Sequence, residues 1–163
     1  MIYKMVILAV VMEKNSEAIV LDDLDRKILE ILSKDAKLAN KEIAERIGLT
    51  VTPTFERIKR LERTGVIKRY IAELDQKALG KSLLVLCQVS LKAHSIDVIN
   101  GFEDSITHLD EVSHCYHIAG DYDYLLSIRV KDMEEYQLFL KTKLATIANI
   151  VNVQSSFVMS TLK

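Results

Sequence analysis

His108, His114, Cys115 and His117 place three imidazoles and a thiol within ten residues, the groups that ligate zinc or build a Cys–His nucleophile. Downstream, Asp121 and Asp123 flank Tyr122 in GDYDY, a carboxylate pair suited to an ammonium group. Upstream, Arg57, Lys59, Arg60 and Arg63 crowd into seven residues and offer cations to a polyanion. The histidine cluster fails on geometry. On a strand, His114 and Tyr116 point to one face while Cys115 and His117 point to the other, so the close trio cannot converge on one ion without distortion. No glycine turn adjoins Cys115 to stabilise an oxyanion, and no Gly-rich phosphate cradle occurs. No catalytic residue, metal or cofactor is expected, and an enzyme is the disfavoured reading.

Stepping along the chain, the cations lie on a helical stretch. With 163 residues, 49% hydrophobic and 28% charged, the protein reads as globular, either one domain or two small ones. The formal charge of −1 conceals an asymmetry. Residues 21–70 carry 12 Lys and Arg against 9 Asp and Glu, whereas residues 71–163 carry 8 against 12, so only the first part suits a polyanion. Cys87 and Cys115 both lie in apolar runs and read as reduced core residues of a cytoplasmic protein. The run MIYKMVILAVVM is too short to span a bilayer and lacks an A-x-A cleavage site, so residues 1–20 are expected to be an extension, with an added strand or helix and a targeting role as alternatives.

From Leu21, a stripe of Leu24, Ile28, Leu29, Ile31 and Leu32 predicts a helix whose first turn holds Asp22, Asp23 and Asp25. A short second helix is expected from an Asn40 cap, with Ile43, Ala44 and Ile47 inward and Gly48 as its left-handed stop. Thr50 or Thr52 then caps a third helix reaching about Thr64, with Pro53 in its first turn. Three helices with a tight turn between the last two make a helix-turn-helix over residues 21–70. At 100° per residue, Val51, Phe55, Ile58 and Leu61 fall on a packing face of the third helix. Thr52, Pro53, Glu56, Lys59, Arg60 and Arg63 lie opposite, with Arg57 at the margin. This rod is about 20 Å long and fits the B-DNA major groove, about 12 Å wide, and Lys68 and Arg69 extend the positive surface.

Val66 to Glu73 predicts a strand, and residues 71–82 a linker with a turn at Gly80. Residues 83–163 alternate as strand Leu83–Leu91, helix Ser95–Leu109, strands Val112–Ile118 and Tyr124–Val130, helix Met133–Ala148 and strand Ile150–Met159. That βαββαβ order is a ferredoxin-like sandwich, so the whole is an α+β chain. Two helices cover one face of four strands. Val85, Cys87, Val89 and Leu91 point one way, Leu84 and Leu86 the other, so the second face is expected to self-associate. Taken alone, GDYDY reads as a hairpin turn, with Gly120 free to take positive φ and the turn's N–H groups free to hold an anion.

The motifs LDDLDRKILEIL, NKEIAERIGLT, TPTFERIKRLERTGVIKRY and GDYDYLLSIRV strongly resemble the leucine-responsive regulatory protein / AsnC (feast/famine) family of prokaryotic transcription regulators. The resemblance spans Leu21 to Lys163, with Val51 standing where a proline is common. It implies a winged helix-turn-helix joined to a ferredoxin-like domain, homodimers that often build octamers, double-stranded DNA as partner, and a small amino-acid effector bound between dimers. It places Thr50, Thr52, Pro53, Thr54, Glu56, Arg57, Arg60 and Arg63 on the DNA-facing element. It places Gly120, Asp121, Tyr122, Asp123 and Tyr124 beside the effector pocket, with Met133 nearby. A ligand-indifferent architectural DNA-binding protein is the alternative, and a metabolite-binding regulatory subunit of an enzyme a third reading.

Overall fold

A computed structural model describes residues 19–162; the expected N-terminal extension up to residue 18 lies outside the described residues. Two compact units divide between Ala72 and Glu73. The first holds α1 (Asp23–Lys34), α2 (Asn40–Ile47) and α3 (Val51–Arg63). α1 begins with a reciprocal capping box: the Asp22 carboxylate accepts the Asp25 N–H at 2.8 Å, and the Asp25 carboxylate accepts the Asp22 N–H at 3.2 Å. α2 departs from expectation, because Asn40 is its first helical residue and Ala39 takes the cap position. Ala39 has no side-chain acceptor, but Glu42 reaches back to accept its N–H at 3.1 Å.

Gly48, at φ +73° and ψ +31°, ends α2 in the left-handed conformation that an L side chain resists. The chain then re-enters a helix at Val51. Thr50 caps α3 without a side-chain bond; instead the Thr54 hydroxyl and N–H both donate to the Thr50 carbonyl, at 3.0 and 3.4 Å. Ile28, Ile43, Ile47, Ile58 and Leu61 make the core of this unit, joined by Val66 and Ile67. The strand expected over Val66 to Glu73 does not form. Val66 and Ile67 pack back on the helices, the Ile67 N–H donates to the Leu61 carbonyl at 3.0 Å, and residues 68–74 make no backbone–backbone hydrogen bond among the described residues. A β-prone run needs a strand to pair with, and the described part of this unit contains none.

The second unit runs β1 (Leu83–Leu91), α4 (Ile96–Thr107), β2 (Val112–His117), β3 (Tyr124–Val130), α5 (Met133–Thr142), a 3₁₀ turn Leu144–Thr146 and β4 (Ile150–Phe157). The strands are antiparallel in the order β2-β3-β1-β4, the expected ferredoxin-like sheet. The helix expected to reach Ala148 stops at Thr142. The Thr142 and Thr146 hydroxyls donate to the Leu138 and Lys143 carbonyls at 2.8 and 2.6 Å, and Lys143 swings to Glu111 at 2.6 Å.

Register explains the two faces. Val85, Cys87 and Val89 pair with Ile128, Leu126 and Tyr124 of β3, and this row packs on Phe102, Ile106, Tyr136, Phe139 and Leu144. The alternate row, Leu84, Leu86, Gln88 and Ser90 beside Leu125, Ser127 and Arg129, turns away from the helices. Leu126 is wholly buried at the centre of the packed row. Leu126→Ala should therefore lower stability by about 2–5 kcal/mol, visible as a lower urea midpoint with an unchanged denaturant slope.

Candidate DNA-binding face and effector loop

The rotation of α3 about its own axis decides which cations are available. Thr54, Ile58 and Leu61 are the buried residues, whereas Val51 and Phe55, expected inside, are 45% and 40% exposed. The packed face is thus turned by roughly 40° from the one that hydrophobicity alone defines. Thr54 is a correction to the DNA-facing set: its side chain is buried and its hydroxyl is bonded to Thr50. Thr52, Pro53, Glu56, Lys59 and Arg63 are exposed. Lys59 sits over the Phe55 ring at 5.7 Å and pairs with Glu62 at 2.7 Å. Tyr70 donates to the same Glu62 at 2.9 Å. Arg63 has no ion pair among the described residues.

The same rotation carries two arginines toward α1. Arg57 Nη1 bridges Asp22 Oδ2 at 2.6 Å and Asp25 Oδ1 at 2.8 Å, while Arg60 Nη2 holds Asp25 Oδ2. Asp25 is fully buried; Arg57 is 27% exposed and Arg60 44%. The Asp25 N–H, then the Arg57 guanidinium, hold the Asp22 carboxyl below the usual carboxylate range. The sequence reading missed Asp25 as a counter-ion, because its partners lie 32 and 35 residues away. The signal was present in the acid at the third position of α1, beside Leu24 and Ile28.

In the loop before β3, Gly120 adopts φ +149°, open to glycine and strained for other residues. Asp121 is exposed. Tyr122 donates to Gln154 Oε1 on β4. Asp123 is tied at four points: its N–H donates to the Val89 carbonyl at 2.9 Å, its carbonyl accepts the Ile118 N–H at 2.8 Å, Oδ2 accepts the Leu91 N–H at 2.8 Å, and Oδ1 meets His94 Nε2 at 2.7 Å. Burial alone would raise its carboxyl, but the Leu91 and His94 hydrogen bonds outweigh it and hold it below the usual range.

Residues 21–68 match a family model described as winged helix-turn-helix DNA-binding, and residues 84–163 one described as the Lrp/AsnC ligand binding domain. The leucine-responsive regulatory protein of Klebsiella pneumoniae is 38% identical over 143 residues, covering 88% of this chain and 87% of that protein. The chain belongs to the Lrp/AsnC family. An AsnC family transcriptional regulator from Agrobacterium tumefaciens superposes with a TM-score of 0.83 at 38% identity, covering 88% of this chain and 93% of that one. A Neisseria meningitidis transcriptional regulator solved with L-Met gives 0.85 at 32% identity, with the same coverage of 88% and 93%. The protein is therefore a transcription regulator with a DNA-binding helix-turn-helix and a ligand-binding domain, in a family of regulators and not of enzymes.

Two members of the expected Lrp/AsnC effector set are placed differently. Tyr124 is 1% exposed, in contact with Phe102 and His117 at centroid distances of 4.5 and 4.6 Å, and donates to Glu103 at 2.8 Å. Burial, then Glu103, pushes its phenol up. It is a core residue and walls no open pocket. Met133 lies past the far end of β3 from the loop; seven strand residues intervene, about 23 Å at ~3.3 Å each, so one chain does not bring them together. The histidine cluster is split as the alternation requires: His114 pairs with Ser127 and Tyr116 with Leu125 on the uncovered face, Cys115 with Leu126 and His117 with Tyr124 on the other. Cys87 is a core residue as expected, but Cys115 is exposed, on an edge strand that has a neighbour on one side only among the described residues; partial desolvation of its thiol, then Glu103, still pushes it up to about 11, the wrong direction for a nucleophile.

Asp22 and Asp123 are both shifted down, so each stabilises its unit fully above the usual carboxylate range, and the contribution is lost as pH falls through the folded value. Thermal unfolding by circular dichroism should hold its midpoint from about pH 6 to about pH 4.5 with respect to these groups and decline below about pH 4. Asp22→Asn should shallow that acid decline; a variant with the wild-type acid limb would remove Asp22 from the balance.

Proposed function

We propose that α3 enters the DNA major groove with Thr52, Glu56, Lys59 and Arg63 foremost, Thr50 and Pro53 at its leading end, and Arg60 at the margin. The observation that carries this reading is the exposed basic side of a helix set by the Gly48 turn against its supporting helix. Arg63 is the exposed guanidinium best able to reach guanine or phosphate. Arg63→Ala should weaken binding to a duplex selected by the wild-type protein by about 1–3 kcal/mol, or flatten the salt slope by about 1 if it holds a phosphate. Fluorescence anisotropy across a salt series reads both quantities, and an unchanged affinity with an unchanged slope sinks the assignment.

The effector is proposed to be a small amino acid, supported by the Lrp/AsnC ligand-binding match and by the L-Met bound to the Neisseria meningitidis regulator. Asp123 is the proposed partner for its ammonium group. Its carboxylate is pre-organised by Leu91, its charge is held by a depressed pKa, and the largely exposed His94 is the hydrogen-bond partner an ammonium can displace. Gly120, Asp121 and Tyr122 supply the adjoining turn. A second copy completes the pocket, supported by the Leu84, Leu86, Leu125 and Tyr116 patch that the helices leave uncovered, so a homodimer is the proposed minimal unit and the cytoplasm its place of action. Asp123→Asn keeps an acceptor for Leu91 but loses the charge. It should abolish ligand binding by calorimetry against an amino-acid panel, with DNA affinity kept within a few fold, since coupling between such sites is typically about 1–3 kcal/mol. Normal ligand binding by this variant would return the loop to a structural turn, and no binding by the wild type would favour the ligand-indifferent alternative.

A further inference from the structure

Of the four cations on α3, Arg57 and Arg60 are not equivalent to Lys59 and Arg63. Arg57 projects one nitrogen between two carboxylates at 2.6 and 2.8 Å and is mostly covered. Asp25 has no exposed side-chain surface, and its oxygens are engaged by Arg57 Nη1, by Arg60 Nη2 and by the Asp22 N–H. Were Arg57 to leave for a phosphate, Asp25 would keep a buried charge with half its compensation gone, an arrangement strongly disfavoured in a low-dielectric interior. Arg57 and Arg60 are also one turn apart on the α1 side of α3, so a single carboxylate gripping both resists rotation of the helix about its axis.

We propose that Asp25 is a positioning residue for DNA recognition: it retains Arg57 as an internal strut, restrains Arg60, and so sets which side of α3 meets the bases. This rests on the DNA-binding reading of α3. In its terms, the recognition helix contributes fewer phosphate contacts than its count of basic residues suggests, and specificity depends on a residue of α1 that touches no DNA. Freed of Asp25, both guanidiniums become available to any phosphate, which strengthens sequence-independent binding and erodes discrimination.

The test uses the full chain, a duplex selected from random sequence by the wild-type protein, and a scrambled duplex of equal length. Arg57→Gln should lose affinity for the selected duplex with the slope of log affinity against log salt unchanged, because no phosphate contact is removed. Asp25→Asn should steepen the slope on the scrambled duplex by up to about 0.9 for each released arginine and lower the ratio of selected to scrambled affinity. Asp23→Asn makes the same charge change at an exposed position of α1 and should leave that ratio unaltered. Far-ultraviolet circular dichroism checks folding, and whichever of Arg57→Gln and Asp25→Asn folds decides alone. A slope flattened by about 0.9 in Arg57→Gln would make Arg57 a phosphate contact and overturn the inference. So would an Asp25→Asn protein that folds and matches Asp23→Asn in slope and ratio. Wild-type protein that binds no duplex would overturn the DNA-binding reading and this one together.

Discussion

A carboxylate removed from water must be matched where it stands, and in the helical unit that requirement falls on Asp25. One side chain caps the first turn of α1, receives two arginines from α3, and thereby makes the start of the first helix and the azimuth of the third a single decision. The other restraints on α3 act elsewhere along it. Gly48 and Thr50 fix where it begins, and Ile58 and Leu61 fix which side is dry. The hydrophobic contacts alone would tolerate some rolling of the helix; a hydrogen-bonded ion pair at one flank is far less forgiving, because its strength falls steeply with misalignment.

How much of this was legible in the sequence follows from the range of the interactions involved. The limits of β1 and β3 could be read directly, since two-residue alternation is local and both strands are central in the sheet. The Gly48 stop was equally readable, because only the backbone at that residue decides it. Hydrophobicity sets the wheel of α3 about 40° out of phase: Thr54, a polar residue, takes a core position through a bond to the Thr50 carbonyl, while Phe55 lies under Lys59. Hydrophobicity could not foresee that, nor the capture of Arg57 by a helix that starts some thirty residues earlier. Val66 to Glu73 has strand composition, yet composition supplies no partner strand. Family likeness groups Met133 with the loop, and the length of β3 separates them within one chain.

In the sheet unit, Asp123 has a role comparable to that of Asp25 but with an accessible side. Its backbone bonds to Ile118, just past β2, and to Val89 within β1, and its carboxylate reaches Leu91, so the loop geometry is inherited from the central strand. The next residue, Tyr124, anchors the same point from beneath through Phe102, His117 and Glu103. The turn is therefore a rigid lip on a packed core. Residues that hold the lip and the residue proposed to meet a ligand are neighbours within GDYDY, which is why the family resemblance gives Tyr124 and Asp123 the same task.

The stretch 68–74 belongs to no helix or sheet of the described chain, and its peptide groups answer to no ladder. Nothing in its backbone dictates a length or a register. A seam of this kind is permissive to gene fusion: a crossover there transfers an intact reader or an intact sensor without cutting through either core. The same seam is the natural joint for engineered chimeras that exchange one unit and keep the other.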